Sequence, residues 1–137
     1  MKYVLLFPPI PAPRPRVSKF GTYYPKTYKT WQARAVTELT TQHRGQRSFC
    51  SAVHIQMTFV MTRPQRLMRK KDENCRVIHD RKPDLDNLQK SVLDALTKSA
   101  ILLDDSLVCS CTAEKYYADK TEPAHIEIHI QEKCPGE

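Results

Sequence analysis

The sequence predicts an α+β fold in which two helices cover a small mixed β-sheet, in the order β-α-β-α-β-β. Two kinds of periodicity support this prediction. Residues 52–62 alternate between apolar and polar side chains, as a strand with one buried face does. Residues 26–44 and 85–99 instead repeat apolar side chains every three or four positions, which indicates amphipathic helices. The length of 137 residues suits a single domain spanning the whole chain.

Shorter patterns predict the remaining strands. Residues 1–7 favour a first strand, and two alternating runs over 107–114 and 124–131 favour the last two. The ADKTEP segment between these two runs is typical of a turn, so we expect them to form a terminal hairpin. The second helix should begin after Pro83, because proline disfavours the α conformation of the residue before it.

The charge is distributed unevenly along the chain. The net charge is +7, but residues 1–82 carry +13 and residues 83–137 carry −6. A domain that needs only solubility more often mixes its signs, whereas concentrated positive charge favours a polyanionic partner. The sequence therefore favours binding to nucleic acid, and a solvated basic surface is the alternative.

Two segments without apolar periodicity carry much of the basic charge. Residues 8–25 contain six prolines, and residues 63–82 contain eight Lys and Arg residues. A long loop in a compact domain is more often functional or disordered than structural, so we expect two basic loops that contact DNA. The predicted DNA-binding residues in and beside them are Arg14, Arg16, Lys19, Lys26, Arg69, Lys70, Lys71, Arg76, Arg81 and Lys82.

Hydropathy and cysteine content argue against a membrane or secreted protein. No apolar run approaches the ~20 residues that a membrane span needs. The first apolar run ends at two prolines, with no small-residue cleavage site, so we expect a strand and not a signal peptide. The five cysteines are odd in number and widely spaced, and free thiols in a reduced cytoplasmic protein are the simplest interpretation.

Carboxylates stand before and after the second predicted helix. Asp84 and Asp86 flank its first residue, Asp105 follows its end, and Lys90 lies one turn after Asp86 on the same side. Two carboxylates and an ammonium group near one helix N-terminus suit a magnesium and phosphate site. Acidic residues are also common in the first turn of any helix, where they cap free N–H groups. Helix capping is therefore the alternative for each acid taken alone.

The motif DLDNLQK, followed by LDALTK and LLDD, resembles the RusA family of Holliday junction resolvases, which are small metal-dependent endonucleases. KPDLDN, preceded by His79, strengthens this resemblance, which is nearly gap-free over residues 79–108. The PRPRVSKFGTYYPK segment is similar to the basic N-terminal loop of the family.

The resemblance carries specific expectations about the site. It implies that Asp84, Asp86 and Asp105 bind Mg²⁺ or Mn²⁺, that Lys90 is the essential lysine, and that Asp104 is structural. It also implies a homodimer that acts on four-way DNA junctions. The expected activity is cleavage by paired symmetric nicks, in DNA recombination and repair.

Helix geometry raises a question about the third acid. A helix over 85–99 is about 22 Å long at 1.5 Å per residue, and the five residues before Asp105 span at most ~18 Å. Either the chain doubles back sharply or a second subunit supplies this carboxylate. In a two-fold dimer with antiparallel central helices, Asp105 of one chain approaches Asp84 of the other.

Two other functions fit part of the sequence. A non-catalytic DNA-binding protein, with the acids as helix caps, explains the charge asymmetry equally well. A nuclease acting on flaps or other branched DNA would use the same chemistry on a different substrate. Cleavage assays on several branched substrates separate these hypotheses.

Overall fold

The predicted α+β class is confirmed in a computed structural model, which describes residues 1–14 and 16–133 but not the side chains of Arg16, Ser18, Thr22 and Tyr23. No helix in this part of the chain is both long and apolar enough to cross a membrane. The elements are β1 (Lys2–Leu5), β2 (Arg16–Ser18), β3 (Gly21–Tyr23), α1 (Lys26–Gln42), β4 (Val53–Met61), β5 (Val77–Ile78), α2 (Leu85–Lys98), β6 (Val108–Tyr117) and β7 (His125–Glu132). Single 3-10 turns lie at Gln65–Leu67 and Asp105–Leu107.

Five strands form one mixed sheet in the order β1-β7-β4-β6-β5. β4 is antiparallel to β7 and parallel to β6. The predicted terminal hairpin is therefore wrong, because β4 lies between β6 and β7. Ala118 donates its N–H to the carbonyl oxygen of Met61 (2.8 Å), so the ADKTEP segment crosses the end of β4. Alternation identifies a strand and its buried face, but it does not identify the neighbouring strand.

The two predicted loops contain short regular elements that the sequence patterns did not indicate. β2 and β3 form a hairpin within residues 8–25, and β5 pairs with the end of β6 within residues 63–82. Each strand has only two or three residues, which is too short for an alternating pattern to be recognised.

Both helices lie on one face of the sheet and share a single apolar core. The core residues from the helices are Tyr28, Trp31, Ala35, Leu39, Leu88, Val92, Ala95 and Leu96. The core residues from β1, β4 and β7 are Tyr3, Leu5, Val53, Ile55, Met57, Phe59, Ile126, Ile128 and Ile130. Burying one large aliphatic side chain stabilises the fold by about 1.5–3 kcal/mol, so the apolar stripe of α2 fixes this helix firmly on the sheet.

The free edge of β1 is covered by a side chain from α1. The amide of Gln42 accepts a hydrogen bond from the N–H of Val4 (3.0 Å) and donates one to the carbonyl oxygen of the same residue (2.7 Å). These two bonds satisfy the N–H and C=O of Val4, which the edge strand would otherwise present to another chain.

The C-terminus of α2 ends in a Schellman motif with alanine in the glycine position. Ala100 adopts a φ of 62°, and Ile101 donates its N–H to the carbonyl oxygen of Leu96 (3.1 Å). The left-handed conformation costs a non-glycine residue roughly 1–2 kcal/mol.

Replacing Ala100 with glycine should therefore stabilise the protein. Part of the gain is offset because glycine makes the unfolded chain more flexible, so we expect an increase of about 0.5–1 kcal/mol in the free energy of unfolding. Urea denaturation measures this change. Ser99→Gly, at a neighbouring position with a φ of −79°, should not stabilise; equal effects of the two substitutions would contradict the explanation.

Candidate active site

The candidate site lies at the N-terminus of α2. Asp84 occupies the N-cap position, yet its carboxylate makes no capping hydrogen bond. Its oxygens instead lie 2.9 and 3.0 Å from Nζ of Lys82. Asp86, in the first turn, accepts a hydrogen bond from the N–H of Asn87 (3.0 Å) and is exposed. Helix capping therefore does not explain Asp84.

The proline-rich N-terminal segment forms the opposite wall of the site. Trp31 donates from Nε1 to the carbonyl oxygen of Pro8 (3.0 Å), and Ala12 donates its N–H to the carbonyl oxygen of Asn87 (2.9 Å). The result is an open cleft of about 430 Å³ between residues 11–14 and the start of α2. Its charged lining comprises Arg14, Lys82, Asp84 and Asp86. The cleft thus places acidic groups beside basic ones, as a metal and phosphate site requires.

β6 holds the segment that leads to the acids. Lys115 donates from Nζ to the carbonyl oxygens of Arg81 and Pro83, both at 2.7 Å. The carbonyl oxygen of Lys115 accepts the N–H of His79 (3.2 Å). The sequence does not indicate this positioning role, because nothing distinguishes Lys115 from any other polar residue in an alternating strand.

His79 is buried beneath the same segment. It is 7% exposed, and its ring centroid lies 4.4 Å from that of Tyr117. Burial lowers the pKa of His79, and the charge of Lys115 lowers it further. The neutral ring therefore suits the folded state, which favours a structural role in tethering the segment.

This lowered pKa should make stability depend on pH. The contribution of His79 is fully present above the unfolded pKa of about 6.5 and is lost as the pH falls through the lower pKa of the folded state. His79→Gln should therefore lose less stability than the wild-type protein between pH 7 and pH 5. Urea denaturation at both pH values measures the difference. Equal losses in the two proteins would contradict the assignment.

Lys90 lies one turn after Asp86 on the exposed side of α2. Among the residues that the structure describes, Lys90 is in no salt bridge within 4.0 Å. Lys90 does not line the cleft that holds Asp84 and Asp86, but its exposed ammonium group is available to a ligand.

Asp105 lies apart from the acidic pair. β6 runs antiparallel to α2. Lys115 binds the carbonyl oxygen of Pro83, just before the N-cap of the helix, whereas the Sγ atom of Cys111 accepts a hydrogen bond from Gln89 in the second turn (3.4 Å). Val108 is then about 10 Å further towards the C-terminus of α2, and Asp105 precedes it. Among the described residues, no group of three or more His, Cys, Asp or Glu side chains could hold a metal ion. One chain thus brings two of the three predicted ligands together.

Asp104 stabilises the turn that precedes β6. Its carboxylate accepts hydrogen bonds from the hydroxyl and the N–H of Ser106, and these bonds lower the pKa of Asp104. This arrangement agrees with the structural role expected for this residue.

The predicted DNA-binding residues differ in whether their side chains are exposed and whether they are already paired with acidic residues. The exposed ones are Arg14, Lys19, Lys26, Arg69, Lys70, Lys71, Arg81 and Lys82. Arg76 instead binds Glu122 (2.8 and 3.1 Å) and Glu127 (2.8 Å) through its guanidinium group. Arg69 also pairs with Asp72 at 3.2 Å, and the side chain of Arg16 lies outside the described part of the chain.

Arg63 organises the second basic segment from within. Its side chain is 8% exposed and donates to the carbonyl oxygens of Leu67 (2.8 Å), Cys75 (2.7 Å), Glu73 (3.0 Å) and Ala118 (3.2 Å). The segment predicted as a basic loop is therefore folded around one of its own arginines.

The sequence model of the endodeoxyribonuclease RusA family matches residues 7–131. The chain belongs to the RusA family. The match covers nearly the whole chain, including both walls of the cleft, and supports an endonuclease that resolves Holliday junctions. Among individually curated proteins, none matches the chain at a significant level. The acidic cleft is thus a feature of a RusA-family nuclease.

Proposed function

We propose that this RusA-family chain is a metal-dependent, structure-selective endodeoxyribonuclease that resolves four-way DNA junctions by paired symmetric nicks, in recombination and repair. The acidic pair at the start of α2 carries this proposal. Asp84 stands at the N-cap without capping the helix, and it shares an open cleft with Asp86 and two basic side chains.

The donor atoms of this pair suit a hard divalent cation. Proteins bind Mg²⁺ through one or two carboxylates together with water and phosphate oxygens, and Mn²⁺ accepts the same ligands. Asp84 and Asp86 supply two carboxylates, and Asp105 is the proposed third ligand. The exposed ion pair of Asp84 with Lys82 is weak, so a cation can replace it. A bound ion would activate water and neutralise charge on the phosphate.

Lys90 completes the proposed catalytic group. It lies on the same side of α2 as Asp86, and its proposed role is to stabilise the negative charge that develops on the phosphate in the transition state.

The exposed basic residues supply the proposed DNA-binding surface. Arg14 and Lys82 border the cleft itself, and Arg81 is adjacent to it in the chain. Lys19 and Lys26 extend the surface along the N-terminal segment. Arg69, Lys70 and Lys71 extend it along the second basic segment. Because such residues bind phosphates by releasing counterions, affinity for DNA should fall steeply with salt concentration.

A four-way junction has approximate two-fold symmetry, so a homodimer with two sites can nick opposing strands in a matched pair. The four described cysteines, Cys50, Cys75, Cys109 and Cys111, are free and exposed. Exposed free thiols are expected in a reducing compartment, which supports a cytoplasmic location beside the DNA substrate.

One observation favours a second candidate. Since Asp105 does not join the acidic pair within one chain, a non-catalytic protein that binds branched DNA through the basic surface is the alternative. A nuclease that acts on flaps or other branches would share the proposed chemistry.

Cleavage of a labelled synthetic four-way junction tests the proposal. Paired symmetric nicks in Mg²⁺, absent with EDTA and weak on duplex and flap controls, are expected. Junction binding without cleavage in both Mg²⁺ and Mn²⁺ would leave the non-catalytic alternative, and preferred cleavage of flaps would change the substrate.

A further inference from the structure

The hairpin of β2 and β3 carries the most exposed large apolar side chains in the described part of the chain. Phe20 is 89% exposed and Val17 is 82% exposed. An exposed phenylalanine forfeits the stabilisation that burial provides, and exposed apolar surface rimmed by polar residues can mark an interaction site. The hairpin therefore offers apolar surface to a partner outside the chain.

The turn of this hairpin holds Phe20 at its tip. Ser18 pairs with Gly21, so Lys19 and Phe20 form the turn between the two strands. Gly21 adopts a φ of 123°, which residues with a side chain rarely adopt, so the tight turn depends on this glycine. The Nζ atom of Lys19 lies 5.2 Å from the ring centroid of Phe20, close enough for the ring to attract the cation. The tip thus presents an aromatic ring and a positive charge together.

Both ends of the hairpin are anchored to the rest of the fold. Before β2, Ala12 donates its N–H to the carbonyl oxygen of Asn87 in α2 (2.9 Å). After β3, the ring of Tyr24 packs against that of Tyr28 in α1, with the centroids 5.5 Å apart. The base of the hairpin is therefore fixed to both helices, which leaves the tip to project from them.

The tip lies within reach of DNA that occupies the candidate active site. Arg14 lines the cleft with the acidic pair, and Phe20 follows it by six residues. Six residues span at most about 22 Å, which corresponds to roughly six nucleotide steps of 3.4 Å along one DNA strand. One DNA molecule can therefore contact the cleft and the tip at the same time.

The charge around the hairpin favours nucleic acid as the partner. Residues 1–37 contain seven Lys and Arg residues and no Asp or Glu. Such a segment attracts phosphates, whereas an apolar protein surface would not require this charge. Aromatic side chains stack on accessible bases, and apolar side chains enter base steps as wedges. A basic hairpin with an aromatic tip therefore suits DNA whose base stacking is interrupted.

We propose that Phe20 stacks on a base at the branch point of a four-way junction and so distinguishes branched DNA from duplex. Inserting a ring into a duplex costs the stacking free energy of one base step. At a branch point the arms meet and continuous stacking is interrupted, so the ring gains a stacking partner at a lower cost. Lys19 contacts a neighbouring phosphate, which adds affinity for any DNA sequence. This inference rests on the proposed function, because it explains how the nuclease selects its substrate.

Affinities of hairpin variants for a four-way junction and for a matched duplex test this role. With EDTA present to keep the DNA intact, Phe20→Ser should lose about tenfold in junction affinity and keep its duplex affinity. Phe20→Tyr retains an aromatic ring and should bind as the wild-type protein does. Val17→Thr, the matched control, removes apolar surface from the same hairpin without removing a ring and should keep the junction preference. Equal losses on both DNAs, or equal effects of Phe20→Ser and Val17→Thr, would overturn the proposal.

A fluorescent base separates this inference from the proposed nuclease activity. Aminopurine, a fluorescent analogue of adenine, emits more strongly when it unstacks from its neighbours. Placed beside the branch point in EDTA, it should brighten with saturating wild-type protein and stay nearly unchanged with saturating Phe20→Ser. An equal rise with both proteins would overturn the inference even if the wild-type protein nicks junctions. A rise that depends on Phe20, in a protein that nicks no DNA in Mg²⁺ or Mn²⁺, would refute the proposed nuclease activity alone.

A membrane surface is the other partner that a basic hairpin with an apolar tip could bind. Sedimentation with anionic lipid vesicles tests it with the same variants. We expect no difference in vesicle binding between the wild-type protein and Phe20→Ser. Vesicle binding that is lost in Phe20→Ser, together with unchanged junction affinity, would assign the tip to a lipid surface and overturn the proposal.

Discussion

Replacing Asp86 with asparagine should abolish junction cleavage while leaving junction binding intact. Asparagine has the same shape but lacks the charged oxygen that binds a hard cation. We expect nicking to fall by at least about 10³-fold, or roughly 4 kcal/mol of transition-state stabilisation. Binding should persist, because the change removes a negative charge from the site at which we propose that phosphate binds. Nicking and gel-shift assays on the same labelled junction measure both quantities.

A neighbouring acid provides the control for Asp86. Asp80 is exposed in the segment before the site, and Asp80→Asn changes the net charge equally without touching the cleft residues. We expect near wild-type nicking from Asp80→Asn. Both variants should also keep wild-type stability, because surface substitutions usually change it by less than about 0.5 kcal/mol. Loss of binding by folded Asp86→Asn would contradict the division between metal binding and DNA binding.

Replacing Arg63 with methionine should destabilise the fold more than any change in the site. The guanidinium group of Arg63 serves four carbonyl oxygens while almost fully buried. Methionine fills much of the same volume but leaves these acceptors without donors. Each unsatisfied buried acceptor costs about 1–3 kcal/mol, partly recovered by rearrangement, so we expect a loss of about 3–5 kcal/mol in the free energy of unfolding.

Arg66 offers a matched control three residues along the same segment. It is exposed, and its guanidinium reaches the hydroxyl of Tyr117 only at 3.5 Å. Arg66→Met removes the same charge and should cost less than about 1 kcal/mol. Urea denaturation compares the two variants. Similar small losses would show that the carbonyl oxygens around Arg63 find other donors.

The sequence predicted individual helices and strands better than it predicted which strands pair with each other. Alternation correctly marked β4 and β7, and the apolar stripe correctly marked α2, because a half-buried element repeats its burial along its own axis. The same patterns suggested a hairpin of β6 and β7, since periodicity carries no information about which strand lies beside another. The two-residue strand β5 was missed because it depends on its pairing with β6 and not on its own composition.

The residues of the candidate site could also be predicted only where local spacing indicates them. The acids flanking Leu85 and the lysine one turn later were found from spacing, and helix rise alone indicated that Asp105 starts from the wrong end of α2. The catalytic roles of these residues stay predictions. The roles of Arg63 and Lys115 were not predictable, because a basic residue that binds backbone carbonyls is chemically identical to one that binds phosphate. Only tertiary structure separates the two uses.

Gln42 reduces the capacity of the β1 edge to pair with another chain. A sheet with two unprotected edge strands can pair with another chain on each side and so extend into a fibre. Here the amide of Gln42 occupies the backbone groups of Val4, so this part of the β1 edge is withdrawn from such pairing. One glutamine side chain thereby opposes the edge-to-edge growth that an unprotected β1 would allow.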